Sequence, residues 1–559
     1  MMAAKGSAME YDVVIMGSGA AGLTAALVAA KAGLRVCVLE KASQFGGTTA
    51  ISGGGIWIPG SPQAKAAGVA DSVETAREYV LGVVGNRADR SLIDAYLAAG
   101  PAMIAWLAAN SQAQFLISPP SSDWYPEVPG AVDFGRLLAP EEYDGKQLGK
   151  QFDRLSPPRH EFNAPGGMMI DLFDLPYIAR LPAPSALWHM AKIAIRFALD
   201  KRKLGRGSRL TMGSALAGRL FKSALDAGVE LFENAPVDGL IVKDGKVAGV
   251  TATVDGHSTE IRAARGVILA SGGFSANAAM RQAYIPYPEH HVSILPYTNT
   301  GDGIVAAQVV GAAMGADNHA NAVWAVVSKR TRDDGYVERY AHLIDMSKPG
   351  CIAVDRHGKR FGNEASVHFV EAMHATRTVP AHIVADAKFV KKYGFGLVLP
   401  GGGKVKEMVA CGYLKKGATL ADLAAQIGVD PAGLEATVAQ NNAYAAAGID
   451  PEFAKGGSQI DREIGDPKHD PNPCLGPIGD GPYYAIEIFP GDGSTTVGVK
   501  IDAQCRVIGE GGTAIVGLYA AGLDANSIWQ GKSPAHGCNV GPAMVTGFIA
   551  GNSVSVVSA

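Results

Sequence analysis

The sequence predicts an α/β chain: a Rossmann-like dinucleotide-binding domain into which a second, α+β domain is inserted. Three observations carry this. Tyr11 to Gly22 reads as an apolar strand, a Gly17-Ser-Gly19-Ala-Ala-Gly22 turn and a helix, with Glu40 ending the next apolar run. Far downstream, Asp244-Gly245 and Asp255-Gly256 separate alternating apolar runs, the mark of a β-meander. Residues 306 to about 488 then change character, with Ala- and Leu-rich helices at Thr419–Ile427 and Pro431–Ala447.

The first element is the strand Asp12–Met16, followed by the alanine-rich helix Leu23–Ala32 and a second strand, Leu34–Leu39. Gly17 makes the turn, Gly19 lets backbone approach a pyrophosphate, and Gly22 lets the helix pack on the strand. The helix N-terminus then faces phosphate, and the acid takes a ribose hydroxyl pair. The spacing from Gly17 to Glu40 fits the rule of about 20 residues for that acid. Gly17, Ser18, Gly19, Ala20, Ala21, Gly22, Glu40, Lys41 and Ala42 are therefore expected to hold a dinucleotide.

The next run separates a flavin from a nicotinamide. Gly46-Gly47-Thr48-Thr49-Ala-Ile-Ser52-Gly53-Gly54-Gly55-Ile56-Trp-Ile-Pro59 puts small residues where backbone lies along a long cofactor. A flexible glycine linker would lack the apolar Ile56, Trp57 and Ile58 that follow at once. FAD is the expected cofactor.

Residues 76–205 read as a mostly helical insertion with a Pro-, Gly- and aromatic-rich loop from Pro119 to Gly145. Ala186 to Leu199 is apolar but carries Lys192 and Arg196, and Lys201-Arg-Lys follows. A core-facing helix with a basic end is expected there, with a helix lying on a membrane surface as the alternative. No stretch reads as long and apolar enough to span a bilayer.

Gly228 to Glu233 reads as a strand, and the meander returns through Gly266 to Phe274, a buried strand ending in a glycine turn. In the second domain, Gly350 to Glu364 reads as strand, turn and second strand. Phe489 to Ala559 closes the first domain, with strands at Val497–Ile501 and Ala514–Ala521 and a helix from about Gly541. The expected domains are thus 9–305 and 489–559 for the cofactor and 306–488 for the substrate.

Composition sets outer bounds. The 559 residues are 47% hydrophobic and 18% charged, a globular composition with room for several domains. A formal charge of −3 gives no electrostatic case for nucleic acid. Cys37, Cys351, Cys411, Cys474, Cys505 and Cys538 are scattered, with no CxxC, so no metal site is expected. That pattern, with a start lacking an apolar signal core or twin arginine, suits a cytoplasmic protein.

A Rossmann half interrupted by a meander resembles the FAD-binding fold of the glutathione-reductase type. Gly46–Pro59, Asn299-Thr-Gly-Asp302-Gly303, Gly358-Lys-Arg-Phe-Gly-Asn-Glu364, Pro482-Tyr-Tyr-Ala485, Pro490-Gly-Asp492 and Gly541-Pro-Ala-Met544 go further. In combination they are similar to the 3-ketosteroid dehydrogenase-like branch of the fumarate reductase/succinate dehydrogenase flavoprotein superfamily. The resemblance covers nearly the whole chain. It implies non-covalent FAD, with further contacts at Val237, Ala270, Ser271, Gly272, Asn299, Asp302, Gly522, Asp524, Cys538, Asn539 and Val540. It also implies desaturation of a ketone: a base removes the α-proton, the β-hydride goes to flavin, and donors hold the enolate oxygen. A small-molecule ketone and an unidentified electron acceptor are the implied partners.

The departures from that pattern name the candidate residues. His368 stands where the steroid enzymes carry a tyrosine base and the fumarate reductases an arginine, and imidazole is a suitable base at pH 7. Trp124 stands at the position of the base's tyrosine partner, with Tyr125 next to it. Ser533 stands at the tyrosine that would hold the carbonyl oxygen, while Gly537 matches the glycine whose N–H does so. His536-Gly537 echoes a His-Gly pair of the reductases. Their substrate-binding arginine is replaced by Val540-Gly541, and their histidine pair by Pro490-Gly-Asp492. A dicarboxylate would leave its charge unpaired there, so it ranks low. The alternatives are a fumarate-reductase-like ene-reductase and a non-catalytic flavoprotein.

Overall fold

The computed structural model describes residues 9–556 apart from 160–162, 165, 179 and 316. The chain forms two units. One comprises Met1–Asn277, Pro296–Asn321 and Ser494–Ala559, and the other Ala278–Leu295 and Ala322–Gly493. Residues 306–321, assigned above to the second domain, pack with the first.

The first unit is built on an eight-stranded sheet. Its strands run in the order Arg506–Ile508, Ala514–Ala520, His257–Leu269, Met9–Met16, Val36–Leu39 and Glu230–Phe232. Met9–Met16 is parallel to both neighbours, with Val14 opposite Val267 on one side and Cys37 on the other. Val13, Val14 and Ile15 are fully buried, as an apolar strand covered on both faces requires. The expected meander is present: Val237–Lys243 pairs antiparallel with Lys246–Val254, which pairs antiparallel in turn with the first half of His257–Leu269. That strand is 13 residues long, so its second half still reaches the parallel sheet beside Met9–Met16.

Three expectations in this unit are corrected. Val497–Ile501 is not a strand, and Val499 and Ile501 make only isolated bridges, to Met314, Ala525 and Val507. The Pro119–Gly145 loop contains short strands at Leu137–Pro140 and Tyr143–Asp144, because apolar Leu138 and Ala139 are pulled into the core. The Arg90–Asn110 helix is long and apolar enough to cross a membrane by length and composition, contrary to the sequence reading. Its Ile93, Tyr96, Leu97, Met103, Ile104 and Leu107 form a buried face, the pattern of a core helix.

A fourth correction concerns the basic helix, which spans Pro184–Leu204. It was expected to face the core. Its large apolar residues are exposed instead, with Trp188 at 61% and Leu199 at 57%.

The second unit has a six-stranded sheet ordered Val337–Ala341, Ala322–Thr331, Tyr483–Thr495, Ala381–Asp386 and Cys351–Val354, with Lys415–Gly417 also on Tyr483–Thr495. Side chains alternate between two cores, as the pleat dictates. Ile383 and Ala385 join Met373 and Phe389 on one face, while Ile352 and Val384 join Leu423 and Leu434 on the other. The expected strand at Lys359–Glu364 is absent. The segment is instead anchored by its side chains: Arg360 and Glu364 form a buried pair at 2.8 Å, extended by Asp450 at 2.8 Å and Lys455 at 3.3 Å, and Glu364 Oε1 accepts from the Ala353 N–H at 3.0 Å.

Candidate active site

The nucleotide turn has the geometry that its glycines predict. Gly17 has φ +99°, and a Cβ there would lie 2.3 Å from the Ala270 carbonyl oxygen. A Cβ on Gly22 would lie 2.0 Å from the Gly17 carbonyl oxygen, so this position sets how closely helix and strand meet. A Cβ on Gly19 would meet nothing closer than Thr49 Oγ1 at 3.6 Å. The protein itself therefore leaves room at Gly19. The helix Ala20–Lys31 begins there with no side-chain cap and no acid in its first turn, which leaves its positive end for an anion.

Glu40 is buried at the end of its strand. Its Oε2 accepts from the Ser18 N–H at 3.0 Å and from Ser18 Oγ at 2.6 Å, and its Oε1 accepts from the Ala42 N–H at 2.8 Å. The carboxylate is thus oriented with lone pairs to spare, as a ribose acceptor must be. Val237 follows Ala235, whose N–H donates to the Glu40 carbonyl at 2.8 Å.

The remaining cofactor candidates converge within the same unit. Thr49 Oγ1 accepts from the Ala20 N–H at 2.9 Å, which ties the Gly46–Ile56 run to the helix start. Within that run Ser52 Oγ accepts from the Gly54 N–H at 3.0 Å, and Gly53 and Gly55 flank it. Asn299 donates to Thr48 Oγ1 at 3.1 Å and to the Gly272 carbonyl at 2.8 Å. Lys41 pairs with Asp302 at 2.7 Å. Asp524, fully buried, accepts from the N–H groups of Ser271 at 2.6 Å and Gly273 at 3.1 Å, locking the turn after Ala270. Burial pushes the Asp524 carboxyl above its usual range, and those donors pull it back. Gly522 donates to Thr546 Oγ1 at 3.0 Å, and Cys538, Asn539 and Val540 lead into the last helix.

This cradle fits FAD. In the same unit, Ser275 Oγ, Ser494 Oγ and Thr495 Oγ1 are buried with no hydrogen-bond partner among the described residues. A buried hydroxyl left so costs about 1–3 kcal/mol, and a polar cofactor relieves it.

Five of the six catalytic candidates come together in this unit. The Trp124 N–H donates to the Pro534 carbonyl at 2.9 Å, and the Trp124 and His536 rings meet edge to face at 5.1 Å. Tyr79, which sequence reading missed, clamps the two loops: its hydroxyl donates to the Pro534 carbonyl at 2.6 Å and accepts from the Tyr125 N–H at 3.3 Å. The ammonium of Lys532 lies 5.7 Å over the Tyr125 ring. Loss of hydration pulls His536 below its usual range, which favours the uncharged imidazole. Burial raises the Cys538 thiol to about 11, against a lowering by the neighbouring Ser533 side chain.

Gly537 is the sharpest feature. It has φ +81°, and a Cβ there would sit 2.8 Å from Trp57 N and Ile56 C. Its carbonyl accepts from the Trp57 N–H at 3.2 Å and the Gly541 N–H at 3.0 Å. Its own N–H donates to nothing among the described residues.

A buried charge network supports this corner. Trp57 Nε1 donates to Asp123 Oδ1 at 2.9 Å, and Arg136 bridges Asp123 and Asp71 at 2.7 Å each. Burial pushes Asp123 up to about 6 against the pull of Arg136. Of this network only Trp57 is named by the sequence reading; Asp71, Asp123 and Arg136 are not.

His368 belongs to the second unit. It caps the Phe369–Thr376 helix, and its Nδ1 lies 3.4 Å from Glu371 Oε1. In the same unit, Asp492 sits in the stretch that replaces the reductases' histidine pair. Its Oδ1 meets His291 Nε2 at 2.7 Å, and both side chains are buried. The carboxylate is thus matched to an imidazole of this chain.

The chain matches the family described as FAD binding domain over residues 12–540. It is 35% identical to 3-oxosteroid 1-dehydrogenase of Mycolicibacterium smegmatis over 98% of each chain. It is 36% identical to 4-oxocyclohex-2-ene-1-carboxylate 5-dehydrogenase of Sinomonas cyclohexanicum, over 97% of this chain and 93% of that one. The crystal structure of 3-ketosteroid delta1-dehydrogenase from Sterolibacterium denitrificans, in complex with 1,4-androstadiene-3,17-dione, superposes with a TM-score of 0.91. That match has 34% identity and covers 98% of this chain and 99% of the other. The cradle and the full-length likeness agree: the chain belongs to this FAD-binding family, in its 3-ketosteroid dehydrogenase-like branch of flavin oxidoreductases.

Proposed function

We propose that the protein desaturates a cyclic ketone, a steroid or a smaller ring, at the α,β carbon–carbon bond. The observation that carries this reading is the Gly537 N–H, which has no acceptor among the described residues and is held in a turn that only glycine fits. An N–H so fixed suits an oxygen on which charge develops, since the donor needs no reorganisation. The Gly537 N–H would hold the enolate oxygen, with Ser533 and His536 in the same loop placed to assist. Trp124 and Tyr125 wall the ketone. His368 takes the α-proton. FAD, when bound, supplies the two-electron oxidation.

The substrate class rests on two relatives, one named for a 3-oxosteroid and one for an oxocyclohexene carboxylate. The replacements at His368, Trp124 and Ser533 favour a ring shaped differently from the usual steroid. Steady-state assays with an artificial acceptor dye test the proposal. A ketone converted to the enone with two hydrogens fewer supports it. Dye reduction absent across steroid and cyclohexanone panels, with alkenes reduced instead by the dithionite-treated protein, contradicts it.

A further inference from the structure

His368 opens the Phe369–Thr376 helix on a turn that its neighbours hold in place. Its N–H donates to Ser366 Oγ at 3.1 Å, and its carbonyl accepts from the Glu371 N–H at 2.9 Å. Before it, Asn363 Oδ1 accepts from the Ala365 N–H at 2.9 Å, and Asn363 Nδ2 donates to Asp461 Oδ2 at 2.9 Å. Glu371 lies three residues on, so its side chain shares a helix face with the imidazole. Nδ1 is the nitrogen that meets Glu371 Oε1, at 3.4 Å. The other nitrogen, Nε2, is shut off from solvent, whereas the Glu371 side chain is 51% exposed. The ring thus joins a buried nitrogen to a carboxylate that reaches water.

That division matters for a base. Neutral imidazole carries its proton on one nitrogen and a lone pair on the other. A carboxylate beside Nδ1 accepts the Nδ1–H and leaves the lone pair on Nε2. Glu371 also lies three residues before His374. That ring stacks on Tyr287 at 5.7 Å and meets Trp324 edge to face at 5.0 Å. Burial, with His291 adding to it, pulls His374 down to about 4, which makes it the poorer partner for the carboxylate.

We propose that Glu371 is the positioning residue of His368: it fixes the Nδ1–H tautomer and passes the proton on to water. This role rests on the reading in which His368 takes the α-proton. The α C–H bond breaks as the Nε2–H bond forms, and its electron pair stays with the enolate. The Nδ1 proton then moves to the Glu371 carboxylate and on to solvent.

Two readouts on the FAD-loaded protein test this. The first is the tautomer, read from the nitrogen chemical shifts of isotope-labelled histidine, with His368→Ala assigning the signal. The parent is expected to show Nδ1–H, and Glu371→Gln a shift of population toward Nε2–H. The same tautomer in both overturns the proposal. The second is the anaerobic rate of flavin bleaching by 4-androstene-3,17-dione and by 4-oxocyclohexanecarboxylate. Glu371→Gln should slow bleaching roughly tenfold at saturating ketone, with half-saturation and bound flavin unchanged. Glu371→Asp should recover part of the rate. In a His368→Ala background, Glu371→Gln should cost nothing further. An equal loss in that background overturns the proposal, because the carboxylate then acts elsewhere. A rate lowered by His368→Ala but not by Glu371→Gln overturns the proposal alone. A rate unchanged by His368→Ala, or bleaching by neither ketone, overturns the base reading, and the role of Glu371 falls with it.

Discussion

The Trp57 N–H donates to the Gly537 carbonyl at 3.2 Å, which ties the strand after the flavin loop to the turn that carries the proposed oxyanion donor. A side chain at residue 537 would push against that same Trp57 nitrogen. Gly537→Ala is therefore expected to lower kcat by roughly 100-fold or more, the loss seen when one oxyanion donor is misplaced. Strain at this positive φ should also lower stability by about 1–3 kcal/mol. Turnover of flavin-loaded variant against parent, with a thermal melt beside it, checks both.

Gly19 and Gly22 should behave differently. Gly22→Ala drives a methyl into the Gly17 carbonyl and should disturb folding and flavin together. Gly19→Ala meets only Thr49 Oγ1 at van der Waals distance, so the apoprotein should melt as the parent does. Its FAD affinity should nonetheless fall at least tenfold, because the methyl occupies the pyrophosphate's approach. Flavin fluorescence titration of the apoprotein measures this.

His368→Ala is expected to reduce turnover by roughly 10²–10⁴-fold, the range for a lost general base, with bound flavin retained. Loss of turnover with full flavin content also separates an enzyme from a protein that only stores the cofactor. Unchanged turnover would remove His368 from the proton-transfer role.

Arg136 holds two carboxylates in a site where its own side chain is 2% exposed. Arg136→Met leaves Asp71 and Asp123 buried without their cation. The expected cost is about 3–5 kcal/mol in urea denaturation. Because Trp57 Nε1 donates to Asp123 and Trp124 is its neighbour in the chain, tryptophan fluorescence should shift as well.

Stability should depend on acid through Glu364. Burial alone would raise this carboxyl, but Lys455 and Arg360 hold it down at about 2. A carboxylate whose pKa is depressed by folding stabilises above its unfolded value and loses that contribution as pH falls. The loss should run from about pH 4.5 down to about 2 and reach on the order of 3 kcal/mol. Denaturant midpoints across that window in the parent, against a flatter profile in Glu364→Gln, check the sign.

The strand–turn–helix start, the meander and the glycine-rich flavin loop were legible because each is a local pattern: apolar runs bounded by glycines whose conformation other residues cannot adopt. What escaped was long-range pairing. The Arg136 bridge to Asp71, the Tyr79 clamp on Pro534 and the His291–Asp492 contact join residues 65, 455 and 201 positions apart. The Lys359–Glu364 segment follows a strand and a turn and so read as the returning strand, but the ionic partners of Arg360 and Glu364 lie at Asp450 and Lys455. The Pro184–Leu204 helix misled for a related reason. Its pattern is amphipathic, and periodicity alone does not say whether the apolar face turns inward or outward.

The most direct measurement is anaerobic. The oxidised protein is mixed with steroid ketones, substituted cyclohexanones and saturated dicarboxylates, and the flavin absorbance is followed. The account predicts bleaching by a cyclic ketone, with the corresponding enone recovered in equal amount to the flavin reduced. Bleaching by a saturated dicarboxylate alone, or no bleaching by any ketone while an activated alkene reoxidises the reduced protein, would contradict it.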